Sequence, residues 1–130
     1  MKYYKHTPSF GGVFSRDNVP SLRENFYVVN LDDKSGAGTH WVVIFNIGLP
    51  CIYFDSFGVQ PPEEVIGRMR KTNKHMIMNT YRIQDLNSIN CGFFCIYVID
   101  KLLRGRQFID ILTNFDALNF KANDNLIACI

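Results

Sequence analysis

The sequence predicts an α+β fold in which a small central mixed sheet is flanked by helices. Three observations support this class. An almost wholly apolar run at 91–103 is typical of a helix buried in a core. Two short apolar runs, 41–45 and 50–54, follow each other as the strands of a hairpin do. Apolar residues return at helical spacing after residue 107. A chain of 130 residues suits one domain, which we place at 1–130.

Composition and charge narrow the class of protein. With 47% hydrophobic residues the chain is globular, and a net charge of +2 is too small to indicate nucleic-acid binding by itself. The four cysteines form no CxxC pair and there are only three histidines, so we expect no metal site. No apolar run reaches the length of a membrane span, and the first residues do not resemble a signal peptide. We therefore expect an intracellular protein in a reducing compartment, with no membrane partner.

The N-terminal part of the chain leads to a histidine. Residues 1–25 contain two adjacent glycines and two prolines, which predicts mostly loop with a short helical turn. A strand is predicted at 26–31, where aromatic and β-branched residues dominate. The polar, glycine-containing segment 32–38 is a loop that delivers the chain to His40.

The runs 41–45 and 50–54 are interpreted as a hairpin whose loop is 46–49. Both runs are apolar at nearly every position, so we expect both faces of the sheet to be covered. With this loop, His40 falls opposite Asp55. Directly opposed residues on antiparallel strands hold their Cβ atoms about 4.5–5.5 Å apart, close enough for a hydrogen bond. A slip of one residue would instead place the two side chains on opposite faces.

The second half of the chain alternates helix and strand. Two prolines followed by two glutamates predict a helix at 63–71. A strand is expected at 76–83 and a loop at 84–90, before the buried helix at 91–103. Helical spacing then predicts a helix at 107–115, and the remaining tail is expected to form one more turn.

The buried helix has a start and a stop signal, and a cysteine in its first turn. Asn90 can cap its first N–H groups, and Arg104 with Gly105 marks its end. The positive end of the helix dipole favours a thiolate at Cys91. Gly92 removes side-chain bulk beside the sulfur, so that a substrate backbone can approach. The alternative is that Cys91 is a small inert core residue, which is the commoner state of a cysteine on an apolar helix.

Four residue types together fit thiol-dependent acyl transfer. This chemistry needs a nucleophilic sulfur, an imidazole, a group that orients the imidazole, and donors for an oxyanion. Cys91, His40 and Asp55 suit the first three roles, and the Gln84 side chain and the Cys91 backbone N–H suit the fourth. Each also has a purely structural interpretation, as a core, surface, turn or loop residue. Together those interpretations are weaker, because the residues come from independent parts of the chain.

These residues lie in runs that resemble a known family. The runs are GTHW at 38–41, FDSFG at 54–58, and CGFFC at 91–95 seven residues after Gln84. They are similar to the adenovirus-protease (adenain) branch of the ubiquitin-like-protease clan of cysteine peptidases, which has the same order of His, acid, Gln and Cys. The runs at 12–20 and 29–33 look like the short relatives of adenain found in large DNA viruses and virus-like mobile elements.

The resemblance implies a papain-like fold with the catalytic cysteine at the start of a buried helix. It implies that His40 is the general base, Asp55 orients it, Cys91 is the nucleophile and Gln84 belongs to the oxyanion hole. It also implies that Trp41 walls a narrow groove that admits glycine, although plain core packing of Trp41 is an equal alternative.

The function implied is a viral endopeptidase that matures capsid or core precursors. It would cut after glycine in Gly-Gly or Gly-X-Gly sites, through an acyl-thioester on Cys91. Two alternatives remain open at this point. One is a protease that removes ubiquitin or a ubiquitin-like modifier, and the other is a catalytically silent virion interaction protein of the same fold.

The resemblance also suggests an activator, although no cofactor is required by the sequence. An activating peptide, activating DNA with weak DNA binding, and a location in the host nucleus and virion are expected from it. Two departures are visible. Adenovirus proteases usually have Glu where this chain has Asp55. The stretch 72–83 contains no cysteine, so a disulfide-linked peptide activator is not expected there.

Overall fold

The computed structural model describes residues 7–31, 40–85, 90–116 and 118–127. Within these ranges the strands are β1 (Phe10–Ser15), β2 (Phe26–Asn30), β3 (Trp41–Phe45), β4 (Cys51–Phe54) and β5 (Met76–Met78). The helices are α1 (Glu63–Arg70), α2 (Cys91–Leu103), α3 (Phe108–Thr113) and α4 (Phe120–Ile127). None of these described helices has both the length and the apolar character that crossing a bilayer requires.

The described strands form one five-stranded sheet in the order of the sequence, from β1 to β5. The outer pairs, β1 with β2 and β4 with β5, are parallel. The inner pairs, β2 with β3 and β3 with β4, are antiparallel. The predicted class, an α+β fold with a small central mixed sheet flanked by helices, is therefore confirmed.

Each face of the sheet carries its own apolar cluster. On one face Phe54 packs with Phe94 of α2 and with residues of α3, in what we call the α2 cluster. On the other face Tyr53 packs with Met69 of α1, in what we call the α1 cluster. Successive residues of a strand point to opposite faces, so β2, β3 and β4 contribute alternate residues to the two clusters. The expectation that both faces are covered is confirmed.

The strand β1 forms where the sequence predicts a loop. Its two glycines weaken the local preference for a strand. The strand forms because it pairs in parallel with β2, from Phe10 opposite Phe26 to Ser15 opposite Asn30. The rings of Phe10 and Phe26 add a contact, with their centroids 5.3 Å apart. Long-range pairing therefore overrides the local signal that predicted a loop.

The hairpin register differs by two residues from the prediction. Phe45 pairs with Ile52, so residues 46–51 separate the paired positions, and His40 is not directly opposite Asp55. Pro50 has no N–H to donate to the ladder, and β4 begins one residue after it. Because side chains alternate with a period of two, a shift of two residues keeps His40 and Asp55 on the same face.

The strand predicted at 76–83 ends at Met78. Further along, the N–H groups of Ile83 and Gln84 both donate to the carbonyl of Ser56, at 2.9 and 3.1 Å. The segment 79–84 therefore pairs with the turn after β4 and leaves the sheet. This departure brings Gln84 beside the residue that follows Asp55.

The limits of α2 match the predicted run, from Cys91 to Leu103. At its end Gly105 has a φ of 85°, and its N–H donates to the Leu102 carbonyl at 3.0 Å. At its start the expected cap is absent, because the side chain of Asn90 makes no capping hydrogen bond. Asn90 has a φ of −90° and a ψ of 15°, whereas capping side chains usually extend from a β-region backbone.

The other helices differ from prediction mainly at their ends. The helix predicted at 63–71 is α1, and the helix predicted at 107–115 is the shorter α3. The tail, predicted to form one turn, holds the eight-residue helix α4. The loop predicted at 32–38, the loop residues 86–89, the first six residues and Cys129 lie outside the described ranges, so these predictions remain predictions.

Candidate active site

His40 and Asp55 lie at the same end of a strand pair. His40 immediately precedes β3 and Asp55 immediately follows β4, and antiparallel pairing places the start of one strand beside the end of the other. Nε2 of His40 donates to Oδ1 of Asp55 at 2.6 Å. The Asp55 side chain is 1% exposed and that of His40 is 14% exposed, so the bond is largely shielded from water. The structure brings together the two residues that the sequence paired.

Asp55 is held in place by two further residues. The backbone N–H of Phe57 donates to the same Oδ1 at 2.8 Å. The buried side chain of Asn79 clamps the Asp55 backbone, since its Oδ1 accepts from the Asp55 N–H at 3.1 Å and its Nδ2 donates to the Asp55 carbonyl at 2.5 Å. The ring of Phe57 also stacks on the His40 imidazole, with centroids 4.5 Å apart. The His–Asp pair is therefore oriented by the fold itself.

The two ring nitrogens of His40 have different surroundings. Nε2 is occupied by Asp55, whereas Nδ1 is buried and has no hydrogen-bond partner of regular geometry among the described residues. Cys91 is the first residue of α2, is 6% exposed and interacts with His40. Nδ1 is therefore the ring nitrogen that Asp55 leaves unoccupied.

The pKa values of His40 and Cys91 move in opposite directions. Burial lowers the pKa of His40, but the interactions with Asp55 and then Cys91 outweigh burial and raise it to about 9. Burial raises the pKa of Cys91, but His40 and backbone hydrogen bonds at Trp41 and Gly92 outweigh burial and lower it. These shifts favour a thiolate beside an imidazolium, and the helix dipole acts in the same direction on the sulfur.

The other described cysteines have the opposite electrostatics. Burial raises the pKa of Cys51 to about 11, and burial raises that of Cys95 well above its ordinary value. The thiol of Cys95 donates to the Trp41 carbonyl at 3.3 Å. Of the three cysteines that the structure describes, Cys91 is the one with a lowered pKa.

Within the described ranges, His, Cys, Asp and Glu do not cluster in groups of three that could hold a metal ion.

Gln84 is buried and anchored to the turn after β4. Its carboxamide Oε1 accepts a short hydrogen bond from the Ser56 hydroxyl, and both side chains are 0% exposed. Its backbone N–H donates to the Ser56 carbonyl. Since Ser56 directly follows Asp55, the structure places the predicted oxyanion donor beside the predicted His–Asp pair.

Trp41 and Gly92 line one apolar pocket with Val13 and Val28, and its volume is about 230 Å³. Trp41 is the residue after His40 and Gly92 is the residue after Cys91, so the pocket is lined by the chain neighbours of both. A Cβ built on Gly92 would meet no described atom within 4 Å. The two residues that the sequence assigned to substrate binding therefore share a cavity, and that cavity has open space at Gly92.

Three residues that contact the predicted site residues were not assigned from the sequence: Ser56, Phe57 and Asn79. Ser56 and Phe57 lie within the FDSFG run, so their proximity to Asp55 was visible as adjacency. Asn79 had no such signal, because it lies 24 residues from Asp55 and is brought there by the end of β5. Val13 and Val28 could not be assigned either, because their pocket depends on the unpredicted strand β1.

The fold has a counterpart among solved structures. The crystal structure of the ASFV pS273R protease, in selenomethionine form, matches 71% of this chain with a TM-score of 0.53 and 23% sequence identity. A second crystal structure of the ASFV pS273R protease matches 67% of this chain with a TM-score of 0.52 and 22% identity. This chain shares the fold of a viral protease. The predicted resemblance is thereby confirmed at the level of the fold.

The match to this viral-protease fold is partial in length. It covers 39% and 36% of the two ASFV protease chains, so this chain corresponds to less than half of that protein. No protein-family model and no curated protein sequence matches the chain. Within the viral-protease fold described here, the sheet supplies His40 and Asp55, α2 supplies Cys91, and the segment 79–84 supplies Gln84.

Proposed function

We propose that this chain is a viral cysteine endopeptidase in which Cys91 is the nucleophile, His40 transfers protons and Asp55 orients His40. The proposal rests on one observation: His40 bonds Asp55 through Nε2 and interacts with Cys91, whose pKa is lowered while that of His40 is raised to about 9. The thiolate is the nucleophilic form of cysteine, so a lowered pKa increases its reactivity at a given pH. The shared fold with a viral protease supports the same class.

In the proposed acylation step the Cys91 thiolate attacks the carbonyl carbon of the scissile peptide bond. The carbonyl electron pair moves to oxygen, and the Gln84 side-chain N–H and the Cys91 backbone N–H stabilise that oxyanion. When the tetrahedral intermediate collapses, the His40 imidazolium gives its proton to the leaving amine. The products of this step are a free amine, a neutral His40 and an acyl-thioester on Cys91.

In the proposed deacylation step neutral His40 takes a proton from water as the oxygen attacks the thioester carbonyl. Collapse of the second intermediate releases the carboxylic acid product and returns Cys91 as a thiolate. His40 keeps its proton, so the ion pair is restored. Asp55 holds the imidazole orientation through both steps.

The proposed substrates are polypeptides with glycine before the cut. Trp41 and the open space at Gly92 suit a backbone without side chains, as in Gly-Gly or Gly-X-Gly sites. The adjoining apolar pocket suits a hydrophobic side chain elsewhere in the same peptide. The resemblance to the adenain branch, and not the pocket, supplies the rest of the proposal: the natural substrates are viral capsid or core precursors, processed in the host nucleus or the virion. An activating peptide or DNA belongs to this proposal, with contacts other than a disulfide in the stretch 72–83.

Two measurements on the purified chain test the proposal. The first is hydrolysis of peptides that contain Gly-Gly, compared with full-length ubiquitin-like modifier fusions. We expect Cys91→Ala and His40→Ala to abolish turnover, and Cys51→Ala, which removes a buried thiol of raised pKa, to retain it. Cleavage of intact modifiers alone would assign the substrate to that class instead. Turnover that persists in Cys91→Ala or His40→Ala would overturn the peptidase mechanism.

The second measurement is alkylation by iodoacetamide at pH 6, followed by peptide mass spectrometry. We expect Cys91 to react faster than Cys51 and Cys95, and to slow in His40→Ala, because His40 lowers the pKa of Cys91. This measurement needs no substrate. A rate at Cys91 that equals the rate at Cys51, or that is unchanged in His40→Ala, would contradict the thiolate–imidazolium pair.

A further inference from the structure

Ser56 and Gln84 form a buried polar contact whose role the triad chemistry does not explain. Both residues are 0% exposed, and the Ser56 hydroxyl donates a short hydrogen bond to Oε1 of Gln84. An unpaired polar group at such a depth is costly, so a contact of this kind persists once the fold has formed. In this structure the contact turns the Oε1 end of the Gln84 carboxamide toward Ser56.

The backbone around this contact is also fixed. The Ser56 carbonyl accepts from the N–H groups of Ile83 and Gln84, at 2.9 and 3.1 Å. From the other side, the buried side chain of Asn123 in α4 donates to the Ile83 carbonyl at 2.9 Å. The Gln84 backbone is thus held between the turn after β4 and a helix.

The orientation of a carboxamide decides its chemistry. Its two ends have similar size, but the oxygen only accepts hydrogen bonds and the nitrogen only donates them. An oxyanion is stabilised by a donor and repelled by an acceptor. With Oε1 engaged by the Ser56 hydroxyl, the N–H end of Gln84 lies on the side away from Ser56.

We infer that Ser56 is a positioning residue that presents the Gln84 N–H group to the oxyanion of the reaction. This inference rests on the proposed function. Because Ser56 directly follows Asp55, one turn then serves both halves of the site: Asp55 orients the imidazole, and Ser56 orients the oxyanion donor.

The kinetic test uses a Leu-Gly-Gly aminomethylcoumarin amide as the probe. The oxyanion forms only in the transition state, so we expect Ser56→Ala to lower kcat by roughly 10- to 100-fold with KM nearly unchanged. In a Gln84→Ala background the further loss from Ser56→Ala is expected to be less than about twofold, because the two residues act as one unit. Thr113→Ala removes a hydroxyl that donates within α3 and serves as the matched control.

Alkylation separates a positioning role from a general loss of structure. Iodoacetamide reacts with a thiolate without forming an oxyanion, so the rate at Cys91 in Ser56→Ala is expected to stay within about twofold of the parent rate. Should Ser56→Ala fail to fold, as shown by labelling of the buried Cys51, then Ser56→Cys replaces it. That variant has similar size but a weak donor, and it is expected to lower kcat in the same direction.

The outcomes separate a failure of the role of Ser56 from a failure of the proposed peptidase function. An unchanged kcat in Ser56→Ala or its replacement, or an equal loss with and without the Gln84 side chain, overturns the role of Ser56. Such a result leaves intact a peptidase that still depends on Cys91. If the parent chain shows neither turnover nor His40-dependent alkylation, the proposed function falls and this inference falls with it.

Discussion

At the scale of the residue, the His40 ring is the part of the candidate site with contacts on the most sides. A carboxylate bonds one ring nitrogen, Phe57 stacks on the ring face, and Cys91 also interacts with the imidazole. These contacts raise the pKa of His40 to about 9 although burial lowers it. The hydrogen bond from Asp55 is the largest of the interactions that raise the pKa of His40 against burial.

The pH dependence of hydrolysis follows from these shifts. In the proposed mechanism the competent state has Cys91 deprotonated and His40 protonated. Activity is expected to rise as pH increases through the lowered pKa of Cys91, and to fall as pH increases through about 9, where His40 loses its proton. The measurement is kcat/KM of the Leu-Gly-Gly amide between pH 5 and 10, and a flat profile above pH 8 would count against the ion pair.

Asp55→Asn tests the cause of the alkaline limb. Removing the carboxylate removes the charge that raises the pKa of His40, so the limb is expected to move to lower pH and kcat/KM to fall at least about tenfold. Asp100→Asn is the matched control, because the Asp100 carboxylate on α2 is partly exposed and pairs with Arg104, which directly follows the helix. An alkaline limb at the same pH in Asp55→Asn and the parent chain would show that Asp55 does not set this pKa.

At the scale of the element, the site depends on two irregular segments more than on the strands. The turn 55–58 and the segment 79–84 are joined by the clamp of Asn79 on Asp55 and by the bonds of Ser56 to Gln84. Gly58 lies where the turn 55–58 approaches the segment 79–84. Its φ is 70°, and a Cβ built there would lie 2.4 Å from the Tyr81 backbone carbon. The two segments can approach this closely because position 58 has no side chain.

Gly58→Ala and Gly48→Ala form a matched pair of substitutions. Both glycines have positive φ, and for alanine that backbone costs roughly 1–2 kcal/mol. A Cβ at Gly48 meets no described atom within 4 Å, whereas one at Gly58 also collides with the Tyr81 backbone. In urea unfolding we expect Gly58→Ala to lose clearly more stability than Gly48→Ala. Equal losses of unfolding free energy in the two variants would show that the turn 55–58 and the segment 79–84 can move apart at Gly58 without loss of stability.

At the scale of the whole molecule, the sheet is the shared wall of two apolar clusters. The strands β2, β3 and β4 give alternate residues to the α1 cluster and the α2 cluster. A substitution that destabilises one cluster therefore also destabilises the strands that the other cluster packs on. We expect one cooperative unfolding transition, as is usual for small domains.

Met69→Ala tests this coupling. Met69 is 0% exposed in the α1 cluster, and its truncation is expected to cost roughly 2–5 kcal/mol. Trp41, the single tryptophan of the chain, packs against the α2 cluster on the other face. Its fluorescence and the far-UV circular dichroism are expected to shift together in urea. Leu118→Ala, at a side chain that is 93% exposed, should change little. A Trp41 transition that ignores Met69→Ala would contradict cooperativity.

The sequence by itself was sufficient for the elements and residues that have local signals. The apolar run and its following glycine predicted α2 to the residue, and the aromatic and β-branched runs predicted β2 and β3. Of the predicted site residues, His40 lies against Asp55 and interacts with Cys91, and Gln84 lies against Ser56. The roles proposed for them were predicted from residue types at element ends, which are visible without coordinates, and remain predictions.

The tertiary structure alone decided features that depend on distant pairing. β1 forms despite its two glycines because it pairs with β2. In the hairpin Phe45 pairs with Ile52, and Pro50, which has no N–H to donate, lies outside β4. The strand predicted at 76–83 stops early because 79–84 bonds the turn after β4. The same pairing of the segment 79–84 with this turn places Asn79 against Asp55. Local propensity differs by only about 1 kcal/mol between residues in strands, so backbone pairing and burial across the sheet override it.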